Sequence, residues 1–336
     1  MPTTRAAGVF VLAVAAALFA GSAHGAPTPP ELRILLFTKT AGFRHDSIPV
    51  AVRALRELGA RNRVQVDHTE DAALFTDAGL RRYDAVVFLL TSGDVLDAAQ
   101  QAAFERFIGS GRGYAGVHSA SDTEYDWPWY GGLVGAFFRS HPAIQRATVR
   151  VLDRRHPSTR TLPGSWTRTD EWFAFRSNPR GAVNVLATLD ETTYSPGDAS
   201  MGADHPTAWS HAYEGGRAWY TAGGHAQESY AEPLFVGHVF GGILWAAGPP
   251  RILSLSGTAR RGRLAVTGRK TRCLRCRAEV RVVVRGQARV TRLVVDGGSV
   301  RGQTGVLPAG RWRYTVVIAD DASGQRTTVR RTVTVR

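Results

Sequence analysis

Four short apolar runs recur in the first third of the chain, each followed by a helical pattern or a polar loop, and this alternation leaves few architectures open. Residues 32–37 (LRILLF) are almost wholly apolar, which suits a strand covered on both faces of a parallel sheet. The loop TKTAGFRHDSIP follows, then a helix with Val52, Leu55 and Leu58 on one face, for which Gly59 is the expected stop. Val64 and Val66 alternate as a second strand, and residues 85–90 form a third after a short helix rich in Ala and Leu. Asp97 is placed to cap a helix that turns Ala102, Phe104, Phe107 and Ile108 towards the sheet. Residues 114–117 (YAGV) make a fourth strand of small and β-branched residues between glycines. Such a succession predicts an α/β domain with a doubly wound, mostly parallel sheet.

After Gly132 the pattern loosens. Further strands are expected over residues 147–152, 183–189 and 217–221, with an apolar closing helix over 235–245. Gly248, Pro249 and Pro250 mark a boundary. Beyond it come short alternating runs (RLAVTG, AEVRVVVRG, VTRLVVDGG, RWRYTVVIAD, TTVRRTVTV) between Gly, Asp and Ser turns, the pattern of a small all-β, Ig-like sandwich. The expected division is therefore 31–248 and 251–336.

Residues 1–25 have the shape of an export signal: Arg5, an apolar run over 9–20, and small residues around Ala23 and Gly25. The run falls short of the about 20 apolar residues of a membrane span, and no later segment qualifies. No cysteine near the cleavage zone offers a lipid anchor, so a secreted, extracellular protein is expected. The two cysteines, in CLRC at Cys273 and Cys276, suit a local disulfide in that setting and are only half a zinc site.

Charge divides the chain at the same boundary. Residues 251–336 hold 20 of the 42 Lys+Arg and 4 of the 28 Asp+Glu, a net charge of +16, which leaves −2 for the rest. The larger domain thus gives no sign of nucleic-acid binding. A surface as basic as the smaller one suits electrostatic association with anionic cell-wall polymers.

In open α/β sheets, ligands collect beyond the carboxyl ends of the strands. His45 lies after the first strand, residues 91–94 (TSGD) after the third, and His118 to Asp122 after the fourth, so these loops should meet on one edge. His225 follows the apolar run 219–222 and emerges in the same way. Asp170 and Glu171 before Trp172, the string DHPTAWSH with His205, and Glu228 in GGHAQESY add polar candidates. Imidazoles and carboxylates so gathered can hold a divalent metal ion such as zinc or act as general acid and base, and without HExxH or a comparable motif the spacing leaves both open. The loop YDWPWYGG offers Trp127 and Trp129 as flat faces for sugar rings, or as plugs fixing the loop to the body. GxSxG is absent, as is any cysteine from the larger domain and any Gly-rich dinucleotide fingerprint after the first strand.

Several strings together resemble the ThuA-like, or trehalose-utilisation, family: TKTAGFRHDSI, GVHSASDTEYDWPWYGGLVG, DEWFAF, NVLATLDETTY, MGADHPTAWSHAYEGGRAWYTAGGHAQESY and GGILWAAG. They run in the family's order over about residues 32–248, and the basic domain lies outside. The resemblance implies a fold similar to class I glutamine amidotransferases, a flavodoxin-like sheet with a strand-to-helix elbow. His118 falls where those enzymes carry their catalytic Cys. An imidazole cannot form the glutamyl thioester, so amidotransferase activity is not expected. What the resemblance implies instead is carbohydrate metabolism, in particular disaccharides oxidised to keto forms.

The resulting expectation is an enzyme that acts on a keto-disaccharide or related glycoside by hydrolysis or elimination. His118 and His225 are the expected base or metal ligands, with His45 as third ligand or substrate contact. Asp170, Glu171 and Glu228 are candidates for proton transfer, and Asp122, His205, Trp127 and Trp129 for holding substrate. The alternative is a non-catalytic sugar-binding or wall-associated protein.

Overall fold

The first apolar run becomes β1 (Leu32–Phe37), and its side chains alternate between two cores: Ile34 and Leu36 face one, Leu35 and Phe37 the other. The computed structural model describes residues 32–271, 275–296, 299–321 and 324–335. The expected export signal at 1–25 and Cys273 lie outside the described residues. In chain order there follow α1 (Ile48–Arg61), β2 (Val64–Thr69), α2 (Asp77–Leu80), β3 (Ala85–Leu89), α3 (Ala98–Gly109), β4 (Gly113–Val117) and α4 (Pro128–Val134). Next come β5 (Phe138–Ser140), β6 (Gln145–Val151), β7 (Ser165–Asp170), β8 (Ala174–Phe175), β9 (Asn184–Asp190), β10 (His205–Tyr213), β11 (Gly216–Thr221) and α5 (Pro233–Ala246).

One nine-stranded sheet, ordered β2-β1-β3-β4-β11-β10-β9-β6-β7, carries the larger domain. Pairings from β2 to β11 are all parallel, the flavodoxin-like order. Those from β11 to β7 are all antiparallel. Four reversals return β7 to the direction of β11, so both strands end on the edge where β1, β3 and β4 end. Helices α1 and α5 pack on one face, where Val52, Leu55, Val239 and Ile243 join Ile34 and Leu36, and α3 and α4 cover the other.

Asp97 caps α3 with a reciprocal capping box to Gln100. Gly59 does not end α1, contrary to expectation. It sits inside the last turn, where a Cβ would come within 2.5 Å of Val66 Cγ2, so the glycine serves close approach of helix to strand, and Asn62 ends the helix. The third strand stops at Leu89 because Leu90 turns to φ +59°.

The C-terminal domain has β12 (Arg251–Arg260), β13 (Arg263–Thr271), β14 (Cys276–Val284), β15 (Gln287–Asp296), β16 (Ser299–Val306), β17 (Gly310–Asp320) and β18 (Gln325–Val335). All neighbours in the order β12-β13-β16-β15-β14-β17-β18 are antiparallel, and the first and last strands also touch, which rolls the sheet nearly closed. β15 pairs with β14 over its first seven residues and with β16 over its last three, joining two faces around a core of Leu264, Val280, Val316 and Ile318. Cys276 is disulfide-bonded. Among the described residues no helix is long and apolar enough to cross a membrane.

Candidate active site

β4 ends in an elbow. His118, the next residue, has φ +53°, a left-handed backbone that costs a non-glycine residue about 1–2 kcal/mol. Its carbonyl accepts the Tyr220 hydroxyl at 2.7 Å, and its ring, fully buried, packs 4.0 Å from the Phe173 ring. Nδ1 of that ring lies 2.6 Å from the carbonyl oxygen of Ala222, to which it donates its proton. In the neutral ring the lone pair therefore sits on Nε2, where a protonated ring would instead present an N–H to Glu171.

His225 arrives from β11 through Gly224, at φ +115°, and His45 from the loop after β1. The three imidazoles stand edge to face with centroids 4.9 to 5.3 Å apart. Glu171, first residue after β7, completes the group: Oε2 lies 3.3 Å from His118 Nε2 and 3.2 Å from His225 Nδ1, and Oε1 lies 3.2 Å from His141 Nδ1. One ligand atom from each of His45, His118, Glu171 and His225 falls within 4.8 Å of all the others, a spacing suited to one divalent ion. His118 Nε2 and His225 Nδ1 are buried and, despite their nearness to Glu171, neither makes a hydrogen bond of sound geometry. Buried polar atoms are rarely left so.

The electrostatics follow from this crowding. Burial, then the neighbouring His118 and His225, holds His45 down at about 3, so it is neutral at physiological pH. Burial alone would raise the Glu171 carboxyl, but the His118 and His225 rings outweigh it and hold it well below the carboxylate range. Contact with Glu171 raises His225, more than offsetting its burial.

Asp170 lies beneath, fully buried. Oδ1 accepts the backbone N–H of Glu171 at 3.0 Å and of His225 at 3.1 Å, while Oδ2 accepts Gly224 N–H at 2.8 Å and pairs with Arg168. One carboxylate thus ties together the two segments that deliver Glu171 and His225.

A cavity of about 210 Å³ opens over the cluster, lined among others by Phe43, Asp122, Phe138, His141 and Phe173. Asp122 accepts the Tyr125 hydroxyl at 2.6 Å, and burial raises its carboxyl. The remaining sequence candidates lie elsewhere. Trp127 and Trp129 stack on each other at 5.1 Å; Trp129 meets Phe104 of α3 and Trp127 bonds Glu105. The buried His205 bonds Glu191 and the Phe173 carbonyl, bracing the segment after Glu171. Glu228 is exposed and does not line the cavity. His141, Phe43, Phe138 and Phe173 were not singled out from sequence. Phe43, in the same loop as His45 and two residues before it, carried the one usable hint.

Residues 33–246 match the sequence profile of ThuA, described as trehalose utilisation. The chain belongs to the ThuA family. Among solved structures, a ThuA-like protein of Bacteroides uniformis is 21% identical with a TM-score of 0.56, over 67% of this chain and 96% of that one. A ThuA-like protein of Parabacteroides merdae is 19% identical with a TM-score of 0.52, over 64% and 90%. At these identities the likeness speaks for the fold. No curated protein matches the chain. The ThuA match stops at the start of the basic β-domain, so that domain is an addition to the family fold in this chain.

Proposed function

We propose that this ThuA family member is a secreted carbohydrate-processing enzyme that cleaves a keto-disaccharide or related glycoside by hydrolysis or elimination, with a divalent ion such as zinc held by His45, His118, His225 and Glu171. The observation that carries the reading is the convergence of those four side chains, two with unpartnered buried nitrogens, at the floor of a cavity on the ligand-binding edge of the sheet. Bound there, the ion would supply Lewis-acid stabilisation of an oxygen that gains negative charge.

The chain's own groups do the rest. A ring carbonyl acidifies the neighbouring C–H bonds, so a base beside the carbonyl opens an elimination route without a protein nucleophile. Asp122 and His141 line the cavity beside the four ligands and are the groups free to move that proton. Burial lifts Asp122 towards the range in which a carboxyl can both take and return one. Phe43, Phe138 and Phe173 form the apolar part of the cavity lining.

The test is turnover of oxidised disaccharides by the wild type and by His118→Ala. Unchanged turnover removes His118 from the mechanism. A metal-free protein that binds sugar saturably and turns none over supports the alternative of a binding module.

A further inference from the structure

Part of the C-terminal domain's charge is set in register on one exposed face, formed by β14, β17 and β18. Along β17, Tyr314, Val316 and Ile318 are buried while Arg313, Thr315 and Val317 alternate outwards, and β14 and β18 follow suit. Register aligns the outward residues in rows: Thr315 stands between Arg281 and Arg330, and Ala319 between Arg277 and Arg326. At about 4.8 Å between strands, the two arginines of a row lie about 10 Å apart, and four residues of strand separate the rows by about 13 Å.

Arg277 pairs with Asp321 and Arg281 with Glu279. Among the described residues Arg313, Arg326 and Arg330 are in no ion pair, although like charges on neighbouring strands repel. The face also turns away from the larger domain. Gln325 donates to the Trp245 carbonyl at 2.8 Å and Thr327 to that of Pro250, and both alternate with Arg326 and Thr328 along β18.

We propose that the face formed by β14, β17 and β18 binds a linear acidic polysaccharide. Guanidinium groups at regular intervals match carboxylates repeated along a polymer and release counterions on contact. Between them Thr315, Thr328 and Thr332 offer hydroxyls suited to sugar hydroxyls. No aromatic side chain stands among these outward residues, so the face lacks the stacking platforms with which proteins hold single-stranded nucleic acid. The arrangement is independent of the histidine site and stands or falls apart from it.

The experiment uses the full chain with polygalacturonate, neutral pullulan and poly(dT) as probes, titrated over a range of salt. Expected are saturable binding of polygalacturonate that weakens steeply with salt, none of pullulan, and weaker binding of poly(dT). The variant R313S/R326S/R330S, changed only at exposed positions, should lose at least about tenfold in affinity and show a shallower salt slope. R260S/R263S, on the other half of the domain, should match the wild type. No binding at low salt, equal loss in both variants, or tighter binding of poly(dT) overturns the proposal.

Discussion

Nδ1 of His118 donates to the carbonyl oxygen of Ala222 across 2.6 Å, which leaves Nε2, 3.3 Å from Glu171, as the only lone pair of the neutral ring. A backbone carbonyl cannot change its protonation, so the tautomer is fixed by the end of β11 itself. The buried nitrogen aimed at a carboxylate and two further imidazoles is then arranged as a ligand.

His118→Ala should therefore abolish stoichiometric binding of a transition metal. Glu171→Gln, which keeps the shape and removes the charge, should weaken it by more than the roughly 10–100-fold that loss of an outer partner costs. Elemental analysis of protein dialysed against zinc reads both. Full zinc content in either variant would place the ion elsewhere.

Asp170 acts from beneath. Asp170→Asn keeps one acceptor but leaves the buried Arg168 with Glu232 alone as carboxylate partner, which is expected to cost about 1–3 kcal/mol of stability. Because Oδ1 also ties the Glu171 and His225 backbones together, zinc affinity should fall about 10–100-fold in the fraction that remains folded. Denaturant unfolding and zinc competition measure the two effects separately, and a stable variant with native affinity would deny Asp170 this role.

The parallel half of the sheet was legible in the sequence because its strands are short, largely apolar runs, as in residues 32–37 and 85–89, or in β2 an alternation of Val64 and Val66. β7 was not, since SWTRTD buries only alternate residues, and β8 has two residues and no pattern of its own. That is why Glu171 could be proposed from its chemistry but not set among the histidines. Its place depends on the direction of β7, which four antiparallel pairings determine. The aromatic loop left two readings open, a sugar platform or a plug on the body. α4 begins at Pro128 and folds Trp127 and Trp129 against α3, as the plug reading has it. The exposed ring at the cavity mouth is Phe43, a single aromatic that composition does not mark.

Phe43 and Trp127 should accordingly part under substitution. Phe43 is 64% exposed and lies 4.8 Å from the His45 ring, so Phe43→Ala should change stability by less than about 0.5 kcal/mol and raise KM several-fold. Trp127 is 8% exposed, and Trp127→Ala should cost about 3 kcal/mol or more while leaving the KM of the folded enzyme near wild type. Steady-state kinetics with an oxidised disaccharide, beside thermal unfolding, would expose an exchange of these roles.

Acid sensitivity should originate on the opposite side of the sheet edge from the cavity's aromatic residues, in α5. His238 is buried against Trp219, its Nδ1 donates to the Ser158 carbonyl at 3.0 Å and its Nε2 meets the Thr221 hydroxyl at 3.2 Å; burial holds it down at about 4. Its folded value thus lies below the roughly 6.5 of an unfolded histidine. Between the two the unfolded chain binds a proton that the native state refuses. Stability from this group is complete above about pH 6.5 and declines as pH falls towards 4, by roughly 2–3 kcal/mol at about pH 4.5. His156, also held at about 4 by burial, adds a loss of the same sign. Replacing His238 with Gln should lower stability at neutral pH and flatten the acid decline by about the share of one proton. Denaturant midpoints at about pH 7 and about pH 4.5 for both proteins decide it, and parallel declines would mean that His238 is protonated in the native state.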